Sequence, residues 1–321
     1  MTADVDRALL VWPLVASLVT TFGTTGFVLL SAGERVFDLR AAAASLLTLW
    51  RFLAAVIFLV SPLVLLNVTA DMAGVSWISA LDFVPEVLAE THAGRLFEWF
   101  LPIALVLLIG ACIPLPQFIR TTILFLLAAA LLLLQALLSH AIDQGTLAVA
   151  VYFLHEVAVG LWVGALLALW MVARYGGPPD IWVERAARRV SKLAFWSVIG
   201  LVITGTYTAY NGLGFDLYHL LFSVYGRTLI AKVGIFVGVL AIGAYNRYWL
   251  VPKVAEPAAR NALLFNVQIE SVILLLAVVG LASLLANTPP AQHKGSHGDH
   301  SMMAMIAADS MFFRHARMRA T

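Results

Sequence analysis

Eight histidines are the side chains in this chain best suited to chemistry: His92, His140, His155, His219, His293, His297, His300 and His315. Imidazole is a common ligand for borderline transition metals, so where these residues gather decides whether and where a metal is met. His155 is followed at once by Glu156 in the stretch Tyr152-Phe153-Leu154-His155-Glu156-Val157. Two adjacent ionisable side chains in so apolar a run are costly to bury, and such residues usually face a bundle interior and carry function. The alternative for His155 is a neutral imidazole hydrogen-bonded to a neighbouring helix. His140, in Ser139-His140-Ala141, and His92, in Glu90-Thr91-His92-Ala93-Gly94-Arg95, are the other two candidates for a metal site.

The elements that must position these groups are membrane helices. The chain is 321 residues long, 62% hydrophobic and only 12% charged, with a mean hydropathy of +0.93. Soluble domains carry about twice that charge fraction. Runs of apolar residues long enough to cross about 30 Å of hydrocarbon as helices recur along the sequence. Eight spans are expected, at 11–30, 45–66, 96–113, 122–138, 147–171, 193–210, 228–245 and 266–286. The first reads as a span rather than a cleaved leader, because its flank carries Asp4 and Asp6 in place of a basic cluster. The single cysteine, Cys112, excludes an internal disulfide and a thiolate metal cluster. A net charge of +2, with basic residues dispersed through short loops, offers no nucleic-acid surface.

Orientation follows from the basic residues. Loops after spans one, three, five and seven hold Arg35, Arg40, Arg120, Arg174, Arg185, Arg188, Arg189, Lys192, Arg247, Lys253 and Arg260. The opposite side holds Arg7, Arg95 and Arg227, with four more basic residues in the tail. That bias places both termini outside, away from the cytoplasm. The 174–192 loop becomes the main cytoplasmic anchor, read as an amphipathic interfacial helix. All eight histidines then lie on, or open toward, the outer face. His155 sits about 12 Å below it at 1.5 Å per residue. His140 and His155 flank one short outer turn and can point into a single cavity, with His92 as a third ligand and Glu156 beside them. His219 reads as a plain loop residue.

The chain divides into a membrane domain, 1–290, and a flexible outward tail, 291–321. The tail carries His293, His297, His300, Met302, Met303 and Met305 in a Gly/Ser-containing segment. Imidazole suits Cu(II) and thioether suits Cu(I), so this mixture points to copper in preference to zinc. The alternative is a disordered tail whose residues are incidental.

Several segments resemble the CopD family of bacterial copper-resistance proteins. Leu154-His155-Glu156-Val157-Ala158-Val159-Gly160-Leu161-Trp162-Val163-Gly164 is similar to the family's "LH…WxGG" helix, with Ala165 where a second glycine is common. Ser139-His140-Ala141 resembles "GHA", with serine for glycine. Tyr225-Gly226-Arg227-Thr228-Leu229-Ile230-Ala231-Lys232, Asn246-Arg247 and Val251-Pro252 resemble "YGRxLLxK…NR…P", and Glu270 and Asn287-Thr288-Pro289-Pro290 fit the last helix and exit. The match is strongest over 139–290 and looser in spans one to three. It implies an all-α, eight-helix inner-membrane protein of copper homeostasis that moves copper ions, Cu(I) or Cu(II), from periplasm to cytoplasm. It also implies a separate periplasmic CopC-like partner; membrane lipid is the other expected contact. Transport would be driven by a gradient, by the membrane potential or by a cytoplasmic copper acceptor, and oligomeric state stays open.

Further charges lie within spans. Lys232 is placed to pair with Glu156, and Glu270 with Arg51 or Arg247, while Arg227 opens span seven. Gly94-Arg95 and Gly226-Arg227 open spans three and seven alike, which suggests parallel repeats. Gly160-x-x-x-Gly164 and Gly234-x-x-x-Gly238 read as helix-packing stripes. No nucleotide-binding motif is present and no catalytic set is assigned, so the chain does not read as an enzyme. Copper transport competes with two readings: a b-type haem or quinone-linked redox protein, and a non-transporting copper sensor or chaperone dock in which the tail binds and the bundle anchors.

Overall fold

The computed structural model describes residues 2–31, 39–175, 181–213 and 217–286. Among them, eight helices are long and apolar enough to cross a membrane. They are α1 (Thr2–Ser31), α2 (Leu39–Ala73), α5 (His92–Cys112), α6 (Gln117–Leu137), α7 (Thr146–Tyr175), α8 (Ile181–Leu213), α10 (Val224–Tyr245) and the last span. That last span is α11 (Pro257–Ile273) continued through a π-helical turn, Leu274–Val278, into α12 (Val279–Ala286). Every expected span is present. The helices overrun the expected bounds where polar residues extend them: within the 174–192 segment, residues 181–192 are the first turns of α8, continuous with its span, and no separate interfacial helix forms among the described residues there. An even number of crossings returns the chain to its starting side, here called the terminal face.

Three short helices lie on that face: α3 (Trp77–Ala80), α4 (Val84–Glu90) and α9 (Leu217–Phe222). Two of them join the next span in the same way. Thr91 Oγ1 donates to the Val87 carbonyl at 2.8 Å and accepts from Gly94 N at 2.9 Å. Ser223 Oγ donates to the His219 carbonyl at 2.5 Å and accepts from Gly226 N at 2.9 Å. Each hydroxyl is an N-cap that also closes the preceding helix. A Cβ on Gly94 would overlap the Val87 carbonyl, and one on Gly226 the carbonyls of His219 and Leu220. The glycines are therefore required by close approach. Spans three and seven share not only a dipeptide but a whole joint, a structural counterpart to the repeat.

The bundle is organised on α1, whose apolar window is 78% buried against 6% for α10. Burying α1 means burying Thr20, Thr21, Thr24 and Thr25, and each hydroxyl donates to the carbonyl four residues back, at 2.6–2.8 Å. With no water in the hydrocarbon, such back-bonding satisfies the hydroxyl within its own helix. α1 crosses α7 at glycines: a Cβ on Gly23 would overlap the Gly160 backbone, and one on Gly164 the Gly23 backbone. Small residues here let two backbones meet, as membrane helices need when apolar burial alone cannot drive association. The Gly160/Gly164 stripe thus packs as expected. Gly234 and Gly238 do not, because a Cβ at either would meet open space.

Candidate functional site

α7 carries the site because its sequence breaks an apolar run with His155, Glu156 and Trp162. The first two line a cavity of about 440 Å³ enclosed by α1, α6, α7, α8, α10 and the last span. Tyr152, Lys232, Tyr225, Thr206 and Gln135 are among its further polar groups. Trp162, Phe236 and Leu274 are among its apolar walls.

His155 is held from behind. Its Nδ1 lies 2.9 Å from Thr204 Oγ1 on α8, and that hydroxyl sits 2.7 Å from the Gly200 carbonyl. Thr204 has one proton and gives it to Gly200, so it accepts from His155 and Nδ1 carries the imidazole hydrogen. Nε2 is left with its lone pair, the form in which imidazole binds a metal. Glu156 is 5% exposed, and neither of its carboxylate oxygens has a hydrogen-bond partner. A buried carboxylate without donors is expensive unless a proton or a cation attends it. Lys232 lines the same cavity but makes no ion pair with those oxygens. The expected Lys232–Glu156 bridge is therefore absent; the two residues sit on different helices across a cavity instead of closing it.

Other expected residues fall elsewhere. His140 opens a 3-10 turn, His140–Gln144, capped by Ser139; its side chain lies outside the described residues, although Ser139, Ala141 and Gln144 line the cavity. His92 begins α5, exposed, and no residue of α5 reaches the cavity. α5 packs on α2, α4 and α6, which holds His92 away from α7. Among the described residues no three His, Cys, Asp or Glu side chains come close enough to share a metal ion. The His92–His140–His155 set is thus not assembled by described side chains. Arg227, exposed, donates to the Leu221 carbonyl at 3.2 Å and ties α10 back to α9. The tail residues expected as ligands, His293, His297, His300, Met302, Met303 and Met305, lie outside the described residues.

Glu270 does not pair with an arginine. Arg51 donates to the Ala111 carbonyl at 3.2 Å. Arg247 donates to the Ser191 carbonyl at 2.8 Å and lies over the Phe195 ring at 4.8 Å. Glu270, 1% exposed, accepts instead from Trp162 Nε1 at 3.0 Å and Asn246 Nδ2 at 3.2 Å. Asn266 in turn donates to Asn246 Oδ1 at 2.8 Å. Trp162, Asn246, Glu270 and Arg247 line a second cavity of about 170 Å³. A π-helical turn, Asn246–Leu250, begins at this cluster, and the other π turn lines the larger cavity through Leu274 and Val278. π turns inside membrane helices commonly mark functional sites. Thr204, Trp162 and Asn246 were not among the expected site residues. Asn246 and Trp162 nonetheless stand in motifs quoted above, and a polar Asn246 near the end of an apolar run was the available signal.

Fold and site together define a polytopic helical membrane protein with a histidine–carboxylate cavity inside its bundle. Residues 7–149 match the family model described as copper resistance protein D-like, N-terminal domain, and residues 184–285 match copper resistance protein D. The chain belongs to the copper resistance protein D family, with a role in copper homeostasis and resistance. The N-terminal match extends the resemblance into the first spans. The chain is 28% identical over 247 residues to "Inner membrane protein YebZ" of Escherichia coli (strain K12), covering 74% of this chain and 83% of that protein. It is 28% identical over 191 residues to "Copper transport protein CutJ" of Bacillus subtilis (strain 168), covering 56% of this chain and 35% of that protein. No solved structure matches the chain.

Proposed function

We propose that this protein conducts copper through the bacterial inner membrane, from periplasm to cytoplasm. The observation that carries the reading is Glu156: a buried carboxylate with both oxygens unpartnered, beside the free Nε2 of His155, in a cavity large enough for a cation with its remaining waters. The carboxylate supplies the charge that a bare cation needs in a low-dielectric interior, and the imidazole supplies a borderline donor that copper favours. The names of the relatives, an inner-membrane protein and a copper transport protein, support the same reading. The basic-residue bias sets the terminal face outward, so copper is met there, by the His/Met tail and a CopC-like donor, and passed to a cytoplasmic acceptor. The protein acts as a conduit and performs no covalent chemistry.

The test compares copper content, by mass spectrometry, of cells expressing the wild type or His155→Ala at equal levels. Import predicts more copper with the wild type. Equal copper refutes transport, and less copper with the wild type reverses the direction.

A further inference from the structure

The cavity holding His155 and the cavity holding Glu270 share one lining residue, Trp162. Its indole is 2% exposed, meets Phe236 edge-on with centroids 5.8 Å apart, and donates to Glu270 Oε1. The indole thus stands between the two cavities, both mainly apolar in lining, and its one donor is tied to the carboxylate beyond. That carboxylate receives two neutral donors and no cationic one, since Arg247 lines its chamber but is bound to Ser191 and lies over Phe195. Uncharged donors lower the cost of a buried carboxylate without cancelling its charge. Beside it lies space for a small cation, about 170 Å³.

We infer that Glu270 forms a second station for the copper cation, with Trp162 as the partition between it and the His155–Glu156 station. The inference rests on the transport reading and names its second stop. The two stations differ in kind. Nitrogen is available at His155, whereas Glu270 offers a carboxylate, with Asn246 Oδ1 already accepting from Asn266. Oxygen donors hold copper, and Cu(I) above all, less firmly than imidazole does. Affinity therefore falls along the path, as release on the far side requires. Passage needs the indole to swing aside, which breaks its bond to Glu270, so a cation arriving at the carboxylate replaces the indole donor that opening removes.

The test is copper stoichiometry in the full chain purified in detergent, loaded with Cu(I) under ascorbate and read by mass spectrometry. Wild type, His155→Ala, Glu270→Gln, Glu270→Asp and the double variant His155→Ala/Glu270→Gln are compared, and copper on the tail cancels between them. The expected result is the loss of one equivalent in each of His155→Ala and Glu270→Gln and of two in the double variant. Glu270→Asp, which keeps the charge, should retain the second copper and guards against a fold defect in the glutamine variant. Full loading of Glu270→Gln, with His155→Ala one equivalent short, overturns the inner station and leaves the outer one standing. Loss of copper from Glu270→Asp as well as Glu270→Gln, with both still folded by thermal melt, assigns Glu270 a packing role and also overturns it. Full loading of every variant overturns both stations.

Discussion

Thr204→Val separates the orientation of His155 from its presence. Thr204 passes its proton to the Gly200 carbonyl at 2.7 Å and receives that of His155 Nδ1 at 2.9 Å. Valine has nearly the same shape, and at 7% exposure the site accepts a methyl without a hole. What disappears is one acceptor. A buried N–H left without a partner costs about 1–3 kcal/mol. The ring escapes part of that cost by moving its hydrogen to Nε2, but Nε2 is then no longer a ligand. Copper can then bind only if the hydrogen returns to the unpartnered Nδ1, so binding weakens by up to that energy, roughly 5- to 150-fold in Kd, which overlaps the roughly 10- to 100-fold typical of lost outer-shell partners. The assay is competition for Cu(I) against a chromophoric chelator in purified protein. Thr204→Ser keeps the hydroxyl and is expected to bind as the wild type does. A Thr204→Val protein with wild-type Kd, beside a His155→Ala protein that has lost the site, would refute the argument that Thr204 sets the tautomer.

Gly23→Ala should lower the melting temperature sharply, because the new methyl lands on the Gly160 and Gly164 backbones, which cannot swing aside as a side chain can; overpacking of this kind costs about 1–3 kcal/mol or more. Gly234→Ala and Gly238→Ala, facing open space, should leave it unchanged or raise it through helix propensity. Lys232→Met removes a positive charge from the His155 cavity and should tighten Cu(I) binding, roughly tenfold for about 1.4 kcal/mol of relieved repulsion; weaker binding in the chelator assay would show that Lys232 supports the site. Truncation after Pro290 should leave copper uptake by cells in place, since bundle residues carry both His155 and Glu270 and line their cavities. Abolished uptake would favour the reading in which the tail is the binding element.

Much of the scaffold was legible because a membrane span is written in length and apolarity, and all eight spans stand where those properties put them. The ends were not, since α2 and α8 run on through polar residues that a hydropathy window discounts. The short helices α3, α4 and α9 carry too few turns to show a period. His155 and Glu156 were legible as ionisable groups inside an apolar run, and the structure places both in one cavity. Their partners were not, because His155–Thr204 and Trp162–Glu270 depend on how each helix is rotated about its axis. The arginine pairings failed for a related reason: Arg51 and Arg247 end on the carbonyls of Ala111 and Ser191, and a backbone acceptor leaves no mark in a sequence. His92 was a matter of topology: α5 packs on α2, α4 and α6, and its own residues carry no mark of which helices it adjoins.

Passage of copper through the bundle by way of His155 can be followed in proteoliposomes. Purified wild-type and His155→Ala proteins are reconstituted at equal density with a copper-sensitive dye inside, and Cu(I) is added outside. If His155 lies on the path, the dye responds with the wild type and most of that response is lost with His155→Ala. Equal responses from the two proteins, or none from a wild type that binds copper in detergent, would contradict it.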